Sequence, residues 1–170
     1  MHAIPETPGR RVALTREVAA RTGLDEAAIE AFLRAFYGAA RQDPLLGPAF
    51  AGIEDWERHI ATLTRFWASV ALMTGDYHGQ PMQAHAPLAL TPTHFACWLA
   101  LFERTAGERL SPQGAEHMLE RARRIARSLE MGLIPLPLPA GGHPTAPGVQ
   151  PWPRPSPQPP APSLRGSPPG

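Results

Sequence analysis

At 170 residues the chain is long enough for one domain with a tail and too short for two full domains. Its 16 basic residues, all arginine, stand against 15 acidic ones, and without the tail's Arg154 and Arg165 the body has 14 basic and 15 acidic residues, so it lacks the basic excess that a phosphate backbone demands, and nucleic acid is not an expected partner. A single cysteine, Cys97, rules out an internal disulfide and a thiolate metal cluster.

The prolines divide the chain. Of 22 in total, 14 fall within residues 135–170, together with Arg154, Arg165 and no acid. This stretch has too few clustered apolar residues for a core and reads as a disordered, Pro-rich tail with polyproline II bias. PQPP near Arg154 resembles a ligand for an SH3-type groove, but such matches follow from composition, and a solvated extension is the expectation. Residues 1–13, with Pro5, Pro8, Gly9 and the Arg10–Arg11 pair, read as a loose N-terminal segment. The body is 14–134. No apolar signal region opens the chain and no run approaches the ~18 apolar residues of a membrane span, so a reducing, cytoplasmic setting is expected.

Along the body, Thr15 is placed to cap a short helix ending near Arg21, with Gly23 as its stop. Asp25 then caps a longer helix in which Ile29, Phe32, Leu33, Phe36, Tyr37 and Ala40 recur at helical spacing. Asp43-Pro44 ends it, because a residue before proline leaves the helical region. From Asp55, Trp56, Ile60, Leu63, Trp67 and Val70 form the strongest helical stripe, widened by His59, Phe66 and Met73 and ended by Gly75. Between Gly75 and Thr91 only Gln80 to Ala86 can be helical. So short a helix does not persist alone and has to be held from outside. Thr91-Pro92 starts a helix with Phe95, Trp98, Leu99 and Phe102 on one face, closed by Gly107, and Ser111-Pro112 starts another that runs to Gly132. No strand pattern of period two appears. The fold class is therefore all-α, with four substantial helices and short helical pieces beside the first and before the third.

No GxSxG, HExxH, CxxC or Gly-rich phosphate loop is present, and Cys97 in FACWLALF reads as a small buried hydrophobe. No two of the seven histidines have the three- or four-residue spacing of helical zinc ligands. His117 falls among Arg and Glu and is placed at a solvated face, and His94 is placed at the surface in a first helical turn. His59 lies on the apolar face of the strongest helix, where a histidine is ordinarily part of the core boundary. His85 lies on the short helix between Pro81 and Pro87. A segment that cannot stabilise itself and carries a histidine is a candidate for tethering by a metal or cofactor bond.

FYGAARQDPLLGPAF, WERHIATLTRFWASV, YHGQPMQAH and HFACWLALF follow one another in the order and spacing of the truncated haemoglobins of group III, which are bacterial globins. The resemblance covers roughly residues 25–131. It implies a truncated-globin helical sandwich of two helices on two, binding haem b with His85 as the proximal ligand to iron. It further implies Tyr37 as the distal hydroxyl donor, His59 as the distal-side histidine and Trp98 beside the bound ligand, with Phe36, Phe50, Leu63 and Trp67 as apolar walls. The haem propionates require donors. Since the chain contains no lysine, Arg58, Arg65 and the Tyr77 hydroxyl are the candidates.

Oxygen or nitric oxide is the implied ligand, with nitric oxide dioxygenation or peroxide reduction, fed by an unidentified reductase, as the expected chemistry. The alternatives are oxygen storage or ligand sensing without turnover, and a haem-free helical interaction module. Removal of residues 135–170 is expected to leave haem content unchanged, which absorbance of the full and shortened chains checks. A shortened chain that failed to fold would overturn this view of the tail.

Overall fold

The computed structural model describes residues 8–135; the expectations for residues 1–7 and for the rest of the Pro-rich tail lie outside the described residues. Six α-helices make up the described part: α1 (Pro8–Thr22), α2 (Glu26–Ala40), α3 (Trp56–Leu72), α4 (Pro81–His85), α5 (Pro92–Arg109) and α6 (Pro112–Leu133). No strand occurs among the described residues. Short 3-10 turns lie at Gly47–Phe50 and Ala86–Leu88.

The pair α2 and α3 packs on the pair α5 and α6, with α2 against α5 and α3 against α6, which gives the expected two-on-two helical sandwich. The α2 stripe is fully committed to the interior: Ile29, Phe32, Leu33, Phe36 and Ala40 are each 0% exposed. Trp67, Ala71 and Leu72 of α3, Phe102 and Ala106 of α5, and Met118 and Ala122 of α6 complete the same core. On the outer face Arg34 grips Glu57 with two parallel hydrogen bonds and Glu30 with a third, joining α2 to α3. Caps hold the helix starts as expected: the Asp25, Asp55 and Ser111 side chains accept from the backbone N–H groups of Ala28, Arg58 and Gly114.

Four expectations are corrected. Helix α1 starts at Pro8 and not near Thr15, so residues 8–13 are helical and not part of a loose N-terminal segment, because proline is well suited to a first helical turn. Thr15 therefore lies inside the helix, and its hydroxyl donates to the Leu72 carbonyl at 2.6 Å. Helix α3 ends at Leu72, before Gly75: Met73 itself takes the left-handed conformation at φ 63°. Helix α5 passes through Gly107, where a Cβ would meet nothing within 4 Å, and ends at Arg109 where Ser111-Pro112 begins the next helix. Cys97 is half-buried, and its thiol donates to Asp43 Oδ2 at 3.7 Å.

A fifth correction concerns His117, which is buried and not solvated. Its Nε2 donates to the Ala71 carbonyl at 2.8 Å, since a carbonyl can only accept. Beside it Arg121 Nε donates to Val70 O at 3.0 Å. With Thr15 on Leu72, three consecutive carbonyls at the end of α3, which helix geometry leaves unpaired, are met by side chains from α1 and α6. Burial, reinforced by Arg121 and Arg21, holds the His117 pKa below its ordinary 6.5.

The folded chain therefore takes up this proton at lower pH than the unfolded chain does. Stability present above pH 6.5 is lost as pH falls from that value toward the folded-state pKa. His59, also held low by burial, acts in the same direction. His117→Gln, which keeps a donor for Ala71, is expected to make the melting temperature less dependent on pH below neutrality. An unchanged pH dependence would remove His117 from this role.

Candidate functional site

Between the two helix pairs lies a cleft of about 260 Å³, open to solvent on one side. One wall comes from α2 and α3, with Tyr37, His59, Leu63 and Trp67, and the other from α4, α5 and α6, with His85, Phe95 and Leu129. Trp98 of α5 also faces in. The lining is overwhelmingly apolar, with a few convergent polar groups, which is the usual constitution of a cofactor or ligand site.

His85 ends the five-residue helix α4. Its Nδ1 lies 2.6 Å from the Pro81 carbonyl, four residues back. Because a carbonyl has no proton to give, Nδ1 carries the hydrogen, and the lone pair of the neutral ring is on Nε2. The tautomer and ring orientation are fixed by the chain's own backbone, as is general for metal-ligating histidines. What holds so short a helix is α6. Gly132 on α6 lacks the Cβ that would come within 2.5 Å of Met82 Cε, so Met82 seats directly against it.

Across the cleft, Tyr37 is 7% exposed. Burial raises its phenol pKa well beyond the ordinary range, so the hydroxyl keeps its proton at any working pH. The opposing influence is a hydrogen bond from Trp98. An indole N–H can only donate, so the Tyr37 oxygen accepts it and the tyrosine's own proton is left for another acceptor. His59 sits edge-on to Tyr37 at 6.1 Å and to Trp56 at 5.4 Å. Its pKa is lowered first by burial and next by His85 facing it, which favours the neutral ring.

Of the residues singled out in the sequence, Tyr37, His59, Leu63, Trp67, Tyr77, His85 and Trp98 meet at the cleft. Phe36 and Phe50 stand one ring behind, packed on Tyr37 at 4.8 and 5.6 Å. Arg58 and Arg65 are exposed on α3, flanking Thr62, which lines the cleft; neither has an acid partner among the ion pairs of the described residues. Tyr77 is anchored by its backbone N–H on Ser69 Oγ and by packing on Phe66 at 5.0 Å. His94 instead accepts from its own Thr91 N–H at 3.1 Å and lines no part of the cleft. Thr62, Phe66, Pro81, Ala84, Phe95 and the α6 residues Ile125, Ala126 and Leu129 also line the cleft, and no motif in the sequence marks them for it. Ala115, Met118, Ala122, Ile125, Ala126 and Leu129 recur at helical spacing along α6, and the packing of α4 against α6 turns part of that face into a cleft wall.

No protein-family model matches the chain. It is 32% identical over 126 residues to the Group 3 truncated hemoglobin ctb of Campylobacter jejuni, covering 71% of this chain and 96% of that protein. The fold is similar to the crystal structure of group III truncated hemoglobin from Campylobacter jejuni, with a TM-score of 0.59, 32% identity, and coverage of 71% of this chain and 96% of that one. Sharing this identity over nearly the whole of a relative whose fold it also shares, the chain belongs to the group III truncated haemoglobins.

Proposed function

We propose that the cleft would hold haem b, with His85 as the residue that would ligate its iron, and that Tyr37, His59 and Trp98 would handle a diatomic ligand, oxygen or nitric oxide. The observation that carries this reading is the His85 tautomer: a hydrogen bond from Nδ1 to Pro81 leaves a basic Nε2 on a residue that lines an apolar cleft. The apolar lining suits a porphyrin. Arg58 and Arg65, without acid partners among the described residues, and the phenol of Tyr77, which lines the cleft, are the candidate donors to its two carboxylates.

Bound haem supplies the redox-active iron; the chain's own residues supply an axial base, a protonated phenol and a neutral imidazole. Two or three donors converging on one small ligand favour its retention over rapid release, which suits nitric oxide dioxygenation or peroxide reduction with electrons from a reductase. Protein purified from haem-supplemented cells is expected to show a Soret band and to consume nitric oxide or peroxide when given a reductant. A Soret band with fast oxygen release and no turnover would identify a storage or sensing protein, and no Soret band would leave a haem-free helical module.

A further inference from the structure

Charge is not spread evenly over the surface. Of the 14 basic and 15 acidic residues that precede the Pro-rich tail, α1 holds four, Arg10, Arg11, Arg16 and Arg21, against the single Glu17. The rest has ten against 14. All four α1 arginines are exposed, and Arg10, Arg16 and Arg21 enter none of the ion pairs of the described residues. A basic helix on an otherwise acidic body presents a positive field to one side.

The same face carries exposed apolar side chains. Helix α1 packs on α3, and two depressions of about 150 and 540 Å³ that share Arg11 lie where it meets the end of that helix. Val12, 51% exposed, lines the larger, and Met73, 44% exposed, lines the smaller. Asp76 is the one acid lining either of them. Apolar side chains beside arginines are the composition of a protein interface.

This face adjoins the cleft. Gly75, at φ 77°, lacks the Cβ that the Arg11 guanidinium would strike, so Arg11 lies directly on the segment joining α3 to α4. Thr74 and Asp76 of that segment line the larger depression, and the next residue, Tyr77, lines the cleft.

We infer that this face is the docking surface for an acidic protein that carries single electrons, and that it brings the carrier to the Tyr77 edge of the cleft. The inference rests on the reading of the cleft as a haem site. One electron passes from the reduced carrier to the ferric iron of bound haem, with no bond made or broken, and the carrier leaves oxidised. Opposite charge steers the encounter, and Val12 and Met73 supply short-range contact. An anionic membrane fits less well, because Val12 is the one exposed large apolar residue on α1, which offers no Trp, Phe or exposed Leu to bury among lipid.

The test follows reduction of the full-length ferric haem protein by reduced flavodoxin, an acidic one-electron carrier, in anaerobic stopped flow. At low ionic strength Arg10→Glu/Arg16→Glu is expected to slow reduction by about tenfold, the low end of what electrostatic steering supplies. At an ionic strength of about 0.5 M, where screening is nearly complete within a few ångströms, variant and wild type should react alike. Reduction by the neutral lumiflavin radical should be the same for both proteins, which separates docking from damage to the haem site. Arg104→Glu/Arg127→Glu removes the same charge from exposed positions that line neither the cleft nor these depressions, and should slow the reaction by less than about twofold. If the reversal disturbs folding, Arg10→Gln/Arg16→Gln decides, with a slowing of about threefold. Rates equal to wild type, or equal slowing by both charge-reversed variants, would overturn the docking surface while leaving the haem site intact. Unchanged reduction in a variant that loses wild-type binding to phosphatidylserine vesicles would assign the face to a membrane and also overturn it. A wild-type protein with no Soret band overturns both readings.

Discussion

His85→Ala is expected to abolish normal haem ligation. His85 sits on a five-residue helix, its Nδ1 is committed to Pro81, and it lines the cleft wall opposite His59. Of the other described histidines only His59 lines the cleft, and it stands on the opposite wall. His94 is engaged with Thr91 in a helix cap, His117 is buried against Ala71, and neither lines the cleft. The ferrous protein should lose the spectrum of histidine-ligated haem, and imidazole added to the solution should restore it by filling the space left by the side chain. His94→Ala serves as the matched control and should bind haem as wild type does. If His85→Ala kept an unchanged spectrum while His94→Ala lost it, the axial assignment would be wrong. The loss should extend to stability: haem bound to the native state stabilises it by mass action, so the variant should melt lower in the presence of haem than wild type.

Tyr37→Phe is the second change with a large expected effect. The phenol is buried and held protonated on the cleft lining, so its proton is available to a ligand in the distal half of the cleft. Dioxygen held there carries partial negative charge, and a charge-assisted hydrogen bond to it contributes ~1.5–3 kcal/mol. At ~1.4 kcal/mol per tenfold, oxygen release should accelerate by roughly ten- to a hundredfold. Carbon monoxide carries far less charge on its distal atom, and its release should change much less.

Trp98 supplies a further discrimination. In wild type its indole N–H is engaged with Tyr37. In Tyr37→Phe that donor is released and can turn to the ligand, so the single variant should understate the contribution of the pair and the double variant with Trp98→Phe should release oxygen faster still. Stopped-flow displacement of oxygen from wild type, the single and the double variant measures all three. Equal release from all of them would remove Tyr37 from the ligand site.

Much of the fold follows from local rules that the sequence displays directly. The stripe from Ile29 to Ala40 and the stripe from Trp56 to Val70 recur at helical spacing because one face of each helix has to be covered; the structure buries the first throughout, and in the second it buries Ile60 and Trp67 and leaves Trp56, Leu63 and Val70 half-buried. Asp25, Asp55 and Ser111 stand where a helix start needs an acceptor, and each is found capping. His85 drew notice for a related reason: a helix too short to persist alone implies an outside tether.

Other features depend on contacts between residues far apart in the chain. His117 lies among arginines and glutamates in sequence, yet α3 ends beside it with unpaired carbonyls, and that long-range need buries the ring against Ala71. Thr15 has the composition of a cap, but Pro8 starts the helix earlier and the hydroxyl serves Leu72, 57 residues away. Phe36 and Phe50 match apolar wall positions by order, but helix packing sets them one ring behind Tyr37. Local sequence determined which residues form helices and which faces are apolar, because those depend on spacing and capping within a few residues. Which carbonyl meets which side chain, which ring lines the cleft and which stands behind it were decided only when α2 and α3 closed on α5 and α6, because those outcomes depend on the packing of whole helices.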